Sequence, residues 1–134
     1  LADYERIIDL NLKTAFLVTK YFVPVATEGA QLLYMSSMAA RRANPNAPIY
    51  VSAKAGLTMF GEAMALQLKE NGIRVTGLRP GATDTDGFWG DRPVPREKFM
   101  SPGDVADVVK YVLSLPPHIV MHEIAFESFT FFRR

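Results

Sequence analysis

Residues 36–54 read SSMAARRANPNAPIYVSAK, and this stretch decides how the chain can fold. It follows the run AQLLYM at residues 30–35, which is nearly continuous in its apolar residues, as expected for a strand covered on both faces. It leads into VSAKAGLTMF at residues 51–60, which has a helical pattern. Between them, residues 41–48 contain two prolines and two asparagines and predict a loop. The stretch therefore predicts a helix that returns beside the end of a buried strand.

Two side chains of this predicted helix suggest acid–base chemistry. Tyr50 and Lys54 are four positions apart, so a helix places both on one face. Lowering the pKa of a phenol from about 10 to about 7 requires roughly 4 kcal/mol of preferential stabilisation of the phenolate. One ammonium in water cannot supply this, whereas an ammonium and a second positive group in a partly desolvated pocket can. A tyrosine tuned in this way is a candidate general acid and base.

Ser37 follows the predicted strand, so its hydroxyl is expected at the strand's C-terminal end, the edge at which open α/β sheets bind ligands. Five elements then occur in order: Asn11 in DLNL, Ser37, Tyr50 with Lys54, and the triplet RPG at residues 79–81. This constellation resembles the short-chain dehydrogenase/reductase family. The closing run LPPHIVMHEI at residues 115–124 is similar to the subgroup that acts on small 3-hydroxy acids and related alcohols.

The resemblance implies a fold and a reaction. The fold is the C-terminal half of a doubly wound, parallel-sheet, Rossmann-like α/β domain, and the reaction is hydride transfer between NAD or NADP and an alcohol or carbonyl substrate. By resemblance, Tyr50 gives or takes the hydroxyl proton and Ser37 holds the substrate oxygen. Lys54 lowers the pKa of the tyrosine and binds the nicotinamide ribose. Asn11 distorts its helix and holds a water in a proton relay to the lysine.

The resemblance also implies residues around the cofactor and substrate. Besides Tyr50 and Lys54, the cofactor-binding set is Pro80, Gly81, Thr83 and Thr85, with Pro80 and Gly81 against the nicotinamide and Thr85 on the carboxamide. Residues 83–100 resist assignment to a regular element and correspond to the mobile lid over the substrate. Two of its aromatic residues either line the substrate or anchor the lid to the core, and both alternatives stay open: Phe88 and Trp89.

Periodicity predicts three helices and three strands. The helices are 2–27 with a bend at Pro24, 49–71 ended by Asn71-Gly72, and one beginning at Ser101-Pro102; the strands are 30–36, 73–79 and 122–132. Small residues in the second helix would allow a close neighbour: Ser52, Ala53, Ala55 and Gly56. The resemblance implies a homodimer or homotetramer through helices 2–27 and 49–71. The alternative is that these small residues pack on their own sheet.

Composition excludes several classes of protein and site. The 134 residues carry a net charge of +1 with scattered lysines and arginines, which offers no basic surface for nucleic acid, and the closing pair Arg133-Arg134 is not a patch. There is no cysteine, and the two histidines have no carboxylate constellation, so no metal site is expected. No apolar run is long enough to span a bilayer, so no membrane association and a cytoplasmic location are expected.

One expected feature is missing from the sequence. No glycine-rich turn for the pyrophosphate of a dinucleotide is present, so residues 1–134 are expected to be a partial NAD(P)-binding domain that lacks its N-terminal half. The strand at 30–36 would then have an unpaired edge, which favours the interpretation that the chain is part of a longer one. The rival hypothesis is a truncated, non-catalytic relative that serves subunit association. The choice between NAD and NADP would depend on residues outside this chain.

Overall fold

The computed structural model describes residues 1–132, so Arg133 and Arg134 lie outside the described residues. Its centre is a parallel sheet in the order β1-β2-β3, and within residues 1–132 β1 and β3 form the two edges. The strands are β1 (Gln31–Met35), β2 (Arg74–Pro80) and β3 (Glu123–Phe126). All three point the same way, so their C-terminal ends meet at one edge of the sheet. The predicted α/β fold with a parallel, Rossmann-like sheet is confirmed.

The helices surround this sheet. The chain begins with α1 (Ala2–Ile8), one π-helical turn (Asp9–Lys13) and α2 (Thr14–Phe22), followed by α3 (Pro48–Leu68), the short α4 (Asp86–Trp89) and α5 (Pro102–Leu113). The predicted helix 2–27 is therefore interrupted by a π turn. The predicted bend at Pro24 is not found. Instead the helix ends there, in a 3₁₀ turn at Val23–Val25.

The ends of α3 and α5 follow from their sequences. Pro48 begins α3, where a missing N–H removes no helical hydrogen bond. Gly72, at a φ of 68°, ends the 3₁₀ turn that follows α3 in the left-handed conformation that glycine adopts without strain. Ser101 and Asp104 form a reciprocal capping box at the start of α5. The predicted boundaries at Asn71-Gly72 and Ser101-Pro102 are therefore confirmed.

The core lies between the sheet and the helices of the first half. Tyr34, Leu57, Leu68, Ile73 and Val75 form its buried cluster. Within α3, Ala53 is buried, and a Cβ built on Gly56 would lie 3.4 Å from a methyl carbon of Leu12 in the π turn. The helix that comes close at Gly56 is therefore part of the same chain, and packing of these small residues on the sheet stays a prediction.

Two predictions of secondary structure were wrong. The strand predicted at 122–132 covers only Glu123–Phe126, because β2 ends at Pro80 and residues 128–132 form a turn in which Ser128 accepts two backbone N–H groups. The segment 83–100 contains regular structure after all, namely α4 and a 3₁₀ turn at Arg96–Lys98. No helix within residues 1–132 is both long enough and apolar enough to cross a membrane.

A buried hydrogen bond joins α2 to β1, and we expect the loss of its donor and the loss of its acceptor to lower stability by different amounts. The Thr19 hydroxyl donates to the Ala15 carbonyl at 2.7 Å, so the proton between Thr19 and Tyr34, also 2.7 Å apart, comes from the phenol. Tyr34→Phe therefore leaves Thr19 satisfied and costs about 0.5–1.5 kcal/mol, whereas Thr19→Val leaves a buried phenol without an acceptor and costs about 1–3 kcal/mol. Urea unfolding of the two variants measures this order, and a Tyr34→Phe variant less stable than Thr19→Val contradicts it.

Candidate active site

The site begins where α3 is attached to the end of β1. Ser36, which is buried, donates its hydroxyl to the backbone carbonyl of Lys54 at 3.0 Å and lies 2.8 Å from the Thr58 hydroxyl. The Lys54 ammonium returns to the same strand and donates to the Met35 carbonyl at 2.8 Å. The strand end therefore holds both the backbone and the side chain of this lysine.

This attachment brings three of the four predicted catalytic residues together. The Ser37 hydroxyl lies close enough to the Tyr50 phenol to affect its pKa, and the Lys54 ammonium lies 5.7 Å from the centroid of the Tyr50 ring. The Ser37 oxygen also accepts the backbone N–H of Ala39 at 3.1 Å, at the start of the 3₁₀ turn Met38–Arg41. Because this bond uses the oxygen only as an acceptor, the Ser37 proton stays available to the phenol or to a bound oxygen.

The acidity of the phenol differs from the expectation. Burial raises the pKa of Tyr50 above its ordinary value of 10.0, and the neighbouring Ser37 hydroxyl acts against this rise without cancelling it. Burial also lowers the pKa of Lys54. In the chain by itself, desolvation disfavours the charged form of each group. The lowering of the Tyr50 pKa by Lys54 together with a second positive group stays a prediction.

Asn11 makes no direct hydrogen bond to these three residues in the part of the chain that the structure describes. It lies in the π turn, where its side-chain amide donates to the Ile7 carbonyl at 2.9 Å. The Thr14 hydroxyl donates to the Asp9 carbonyl at 2.7 Å in the same turn. A π turn widens the helix and leaves such carbonyls poorly placed for the regular ladder, and these side chains satisfy them. The expected distortion of the helix at Asn11 is present, while its amide N–H is directed to its own helix.

Pro80 and Gly81 lie at the end of β2, held against the end of β3. The Gly81 N–H donates to the Phe126 carbonyl at 2.8 Å. A Cβ on Gly81 would lie 2.4 Å from the Cβ of Glu127 and 3.2 Å from its Cα. Packing against Glu127 of the same chain therefore already requires a residue without a side chain at position 81, whether or not a ligand binds there.

The two threonines have different surroundings. The Thr83 hydroxyl donates to the Gly81 carbonyl at 3.2 Å, and Thr83 forms a bridge with Met100. Thr85 precedes α4 and is exposed, and its side chain does not cap that helix. Of the two, Thr85 is the one whose hydroxyl remains available for a ligand.

The two ends of the predicted lid segment, residues 83–100, are joined to each other. Asp84 donates its N–H to the Met100 carbonyl at 2.8 Å, and the Arg96 guanidinium contacts the carboxylates of Asp84 and Asp86. These carboxylates raise the pKa of Arg96. Sequence reasoning missed Arg96, although an arginine 10 and 12 positions after two aspartates in one loop was a visible signal.

The two lid aromatics have separate roles in the structure. Trp89 turns inward, donating its indole N–H to the Thr83 carbonyl at 2.6 Å and lying 4.8 Å, between ring centroids, from Phe99. Phe88 turns toward the site, 5.5 Å from the Tyr50 ring and 45% exposed. Trp89 is therefore the anchor, and Phe88 is the aromatic residue that lies beside the candidate catalytic tyrosine.

A chain of ion pairs fixes the turn that follows Ser37. Glu123 on β3 pairs with Arg41 at 2.7 Å and with buried Arg79 at 2.5 Å, and Arg42 forms two hydrogen bonds with Glu127, at 2.8 and 3.0 Å. Arg79 continues to Glu62 on α3 at 3.5 Å. The pairs join β2, β3 and α3 to the loop after β1. In the part of the chain that the structure describes, no group of three or more His, Cys, Asp or Glu residues is arranged to hold a metal ion.

Comparison with known proteins gives a family match over most of the chain. Residues 1–93 match the family described as short chain dehydrogenase. Over 83 residues the chain is 39% identical to an uncharacterized oxidoreductase of Bacillus subtilis, a region that covers 61% of this chain and 30% of that protein.

Solved structures give the same fold. An alcohol dehydrogenase of Thermococcus sibiricus, in complex with 5-hydroxy-NADP, superposes with a TM-score of 0.83 at 28% identity, covering 98% of this chain and 56% of the other. Serine dehydrogenase of Escherichia coli has a TM-score of 0.84 at 22% identity over 98% of this chain and 56% of its own, a likeness of fold alone. The chain spans about half the length of these two proteins.

The close approach at Gly81 makes a prediction about stability. Gly81→Ala forces the backbone near Glu127 to move and is expected to destabilise the fold by about 1–3 kcal/mol, as overpacking does. Gly87→Ala is the matched control, because a Cβ there meets nothing within 4 Å and alanine favours the helical conformation of α4. Chemical denaturation measures both, and equal stabilities of the two variants contradict the packing role of Gly81.

Proposed function

The chain belongs to the short-chain dehydrogenase family, and from this premise we propose that it carries the catalytic half of an oxidoreductase that moves a hydride between NAD or NADP and an alcohol or carbonyl substrate. The observation that supports this most strongly is the proximity of the Ser37 hydroxyl to the Tyr50 phenol, with the Lys54 ammonium at the same sheet edge. A non-catalytic module for subunit association has no physical need for this arrangement.

The residues present fit the nicotinamide half of such a cofactor. The Lys54 ammonium has three N–H donors and uses one on the Met35 carbonyl, which leaves donors for the hydroxyls of a ribose. The exposed Thr85 hydroxyl can bind a carboxamide, and it follows the end of β2 at Pro80 by five residues. A nicotinamide cofactor supplies the hydride acceptor or donor, and the chain supplies orientation and proton transfer. We expect residues outside this chain to bind the adenosine end.

Proton transfer is assigned to Tyr50. In reduction of a carbonyl, the Tyr50 Oη proton passes to the substrate oxygen, and Ser37 donates a hydrogen bond to the same oxygen. In oxidation, the phenolate accepts the hydroxyl proton. The contacts of Ser37 support this role, because its oxygen accepts the Ala39 N–H and its own proton is not used by that bond. Asn11 acts at a distance, by shaping the π turn, and a water between its side chain and Lys54 would complete a proton relay.

A bound oxidised nicotinamide would change the balance of charge around Tyr50. Burial favours the neutral phenol and raises its pKa, while Lys54 at 5.7 Å from the ring does not reverse this. A second positive charge at the same edge favours the phenolate and lowers the pKa. The phenol would therefore become a competent base only when the oxidised cofactor is present.

The proposed partners are a small alcohol or carbonyl compound and further copies of the chain. Exposed apolar side chains on the π turn, α2 and α3 are consistent with a homodimer or homotetramer through residues 2–27 and 49–71: Leu10, Val18, Tyr21, Met59 and Leu66. We expect no nucleic acid or membrane to bind.

Replacing the proposed acid–base group tests the catalytic role. In the full-length protein, Tyr50→Phe removes the transferable proton and keeps the ring, so turnover is expected to fall about 10²- to 10⁴-fold with cofactor affinity nearly unchanged. Tyr111→Phe is the control, because Tyr111 is an exposed phenol on α5. Steady-state rates with NADH and NADPH give the comparison. Equal rates in wild type and Tyr50→Phe remove Tyr50 from this role.

The pKa of Tyr50 makes a second prediction. The difference in ultraviolet phenolate absorbance between wild type and Tyr50→Phe reports this residue alone. Without cofactor the transition is expected above pH 10.0, since burial raises the pKa, and with NAD⁺ or NADP⁺ it is expected at lower pH. A transition that cofactor leaves in place contradicts the proposed electrostatics.

Cofactor binding distinguishes the enzyme hypothesis from the hypothesis of a non-catalytic module for subunit association. Titration of NADH and NADPH fluorescence with the full-length protein is expected to show saturable binding of at least one of them. A full-length protein that binds neither cofactor favours the module.

A further inference from the structure

Arg42 and Glu127 form a two-point ion pair at the sheet edge that carries the candidate site. The two terminal nitrogens of the Arg42 guanidinium donate to the two carboxylate oxygens of Glu127, at 2.8 and 3.0 Å. Arg42 follows the 3₁₀ turn that begins after Ser37, and Glu127 directly follows β3. Because β2 lies between β1 and β3, the pair joins the segments that follow β1 and β3 across the end of β2.

The segment between Ser37 and Arg42 is short and internally bonded. The Ser37 hydroxyl accepts the Ala39 N–H at 3.1 Å, and the Ser37 carbonyl accepts the Ala40 N–H at 3.0 Å. The Arg42 N–H donates to the Ala39 carbonyl at 3.4 Å. A displacement of Arg42 is therefore passed to Ser37 through a single turn, whereas residues 43–46 beyond it are exposed.

Glu127, the other member of the pair, is held in place on both sides along the chain. Before it, the Phe126 carbonyl accepts the Gly81 N–H at 2.8 Å, and a Cβ built on Gly81 would lie 3.2 Å from the Glu127 Cα. After it, the Thr130 hydroxyl donates to the Lys98 carbonyl at 3.2 Å. The Glu127 carboxylate is thus a fixed point to which the turn after β1 is attached.

A second ion pair holds the same turn, but its carboxylate has another partner. Arg41, the last residue of the 3₁₀ turn, lies 2.7 Å from Glu123 on β3, and Glu123 also contacts buried Arg79. Both carboxylate oxygens of Glu127, in contrast, bind Arg42. A change at Glu127 therefore tests the attachment of the turn without removing a partner of a buried arginine.

The exposure of the pair favours a role in orientation over a role in stability. The Arg42 and Glu127 side chains are 42% and 21% exposed, and ion pairs near the surface contribute little to the free energy of unfolding. The two parallel hydrogen bonds between a guanidinium and a carboxylate nevertheless fix the orientation of one group relative to the other.

We propose that Arg42 and Glu127 are positioning residues that hold the Ser37 hydroxyl beside the Tyr50 phenol and the reacting oxygen of the substrate. This rests on the proposed function and adds to it two residues that act through Ser37 without touching the reacting atoms. Loss of the pair frees the turn, so Ser37 no longer meets the substrate oxygen in the transition state. A misplacement of about 1 Å in a catalytic group can lower a rate about 100-fold.

The ultraviolet transition of Tyr50 tests the position of Ser37 without a substrate. The Ser37 hydroxyl lowers the pKa of Tyr50, so a Ser37 that has moved away leaves the transition at higher pH. Loss of the Glu127 charge by itself acts in the opposite direction, since it favours the phenolate, and Lys54 beside the ring is unchanged. In the full-length protein without cofactor, Glu127→Gln is therefore expected to move the transition to higher pH. A transition at the wild-type pH or below it overturns the proposal.

Steady-state rates test the consequence for the reaction. The substrates are butanal, 2-butanone, cyclohexanone and ethyl pyruvate, with NADH and NADPH, and the one that wild type reduces fastest is used. Glu127→Gln and Arg42→Gln are each expected to lower kcat about 10-fold and to leave cofactor affinity unchanged. The double variant should be no slower than either single variant, since both act through one pair. Glu127→Asp keeps the charge and should recover part of the loss.

Two controls isolate the effect. Asp107→Asn removes the carboxylate of another exposed ion pair, with Lys110 on α5, and should change neither kcat nor the Tyr50 transition. Urea unfolding is expected to give similar midpoints for Glu127→Gln, Asp107→Asn and wild type. Arg42→Gln, at an exposed position, provides the same kinetic test if Glu127→Gln does not fold.

The outcomes distinguish this inference from the proposed function. An unchanged kcat in Glu127→Gln, or losses that multiply in the double variant, overturns the positioning role and leaves the oxidoreductase in place. A full-length protein that reduces none of these compounds and binds neither NADH nor NADPH overturns both.

Discussion

The attachment of α3 to the end of β1 is the constraint on which the candidate site depends. The Ser36 hydroxyl binds the backbone carbonyl of Lys54, and the Lys54 ammonium binds the Met35 carbonyl. Tyr50 lies one helical turn before this lysine, so fixing the lysine also fixes the phenol against Ser37. Hydrogen bonds of this kind contribute about 1 kcal/mol each to stability. Their larger effect here is to fix the position of α3 relative to the end of β1.

The positions of the candidate catalytic side chains and the pKa of the phenol have different causes in the structure. The chain positions Tyr50, Ser37 and Lys54, but burial holds the phenol in its neutral form and lowers the pKa of the lysine. Under the proposed function, such a site would become a base only when another positive charge arrives, which would link proton transfer to the presence of the oxidised cofactor. The ion pairs around Glu123 and the contacts of Arg96 hold the surrounding loops, so that this balance is set by fixed groups.

The sequence predicted the parallel strands 30–36 and 73–79 within one residue, because a continuous apolar run is a local signal. It could not predict the end of β3 at Phe126, because β3 ends where its neighbour β2 ends, at Pro80, and this pairing is not visible in the sequence. Tyr50 and Lys54 were found from their spacing. Ser36 was taken only as the strand's last residue, because its contact with Lys54 exists only in three dimensions, and the raised pKa of Tyr50 depends on burial that spacing cannot report.

A crystal structure of the full-length protein with NAD⁺ or NADP⁺ tests the central claim most directly. The account predicts the Tyr50 Oη within hydrogen-bond distance of the Ser37 Oγ, with the Lys54 ammonium directed to the Met35 carbonyl and to the ribose. It predicts the nicotinamide ring at the same edge of the sheet. A phenol turned away from Ser37, or a Lys54 ammonium directed into solvent, would contradict it.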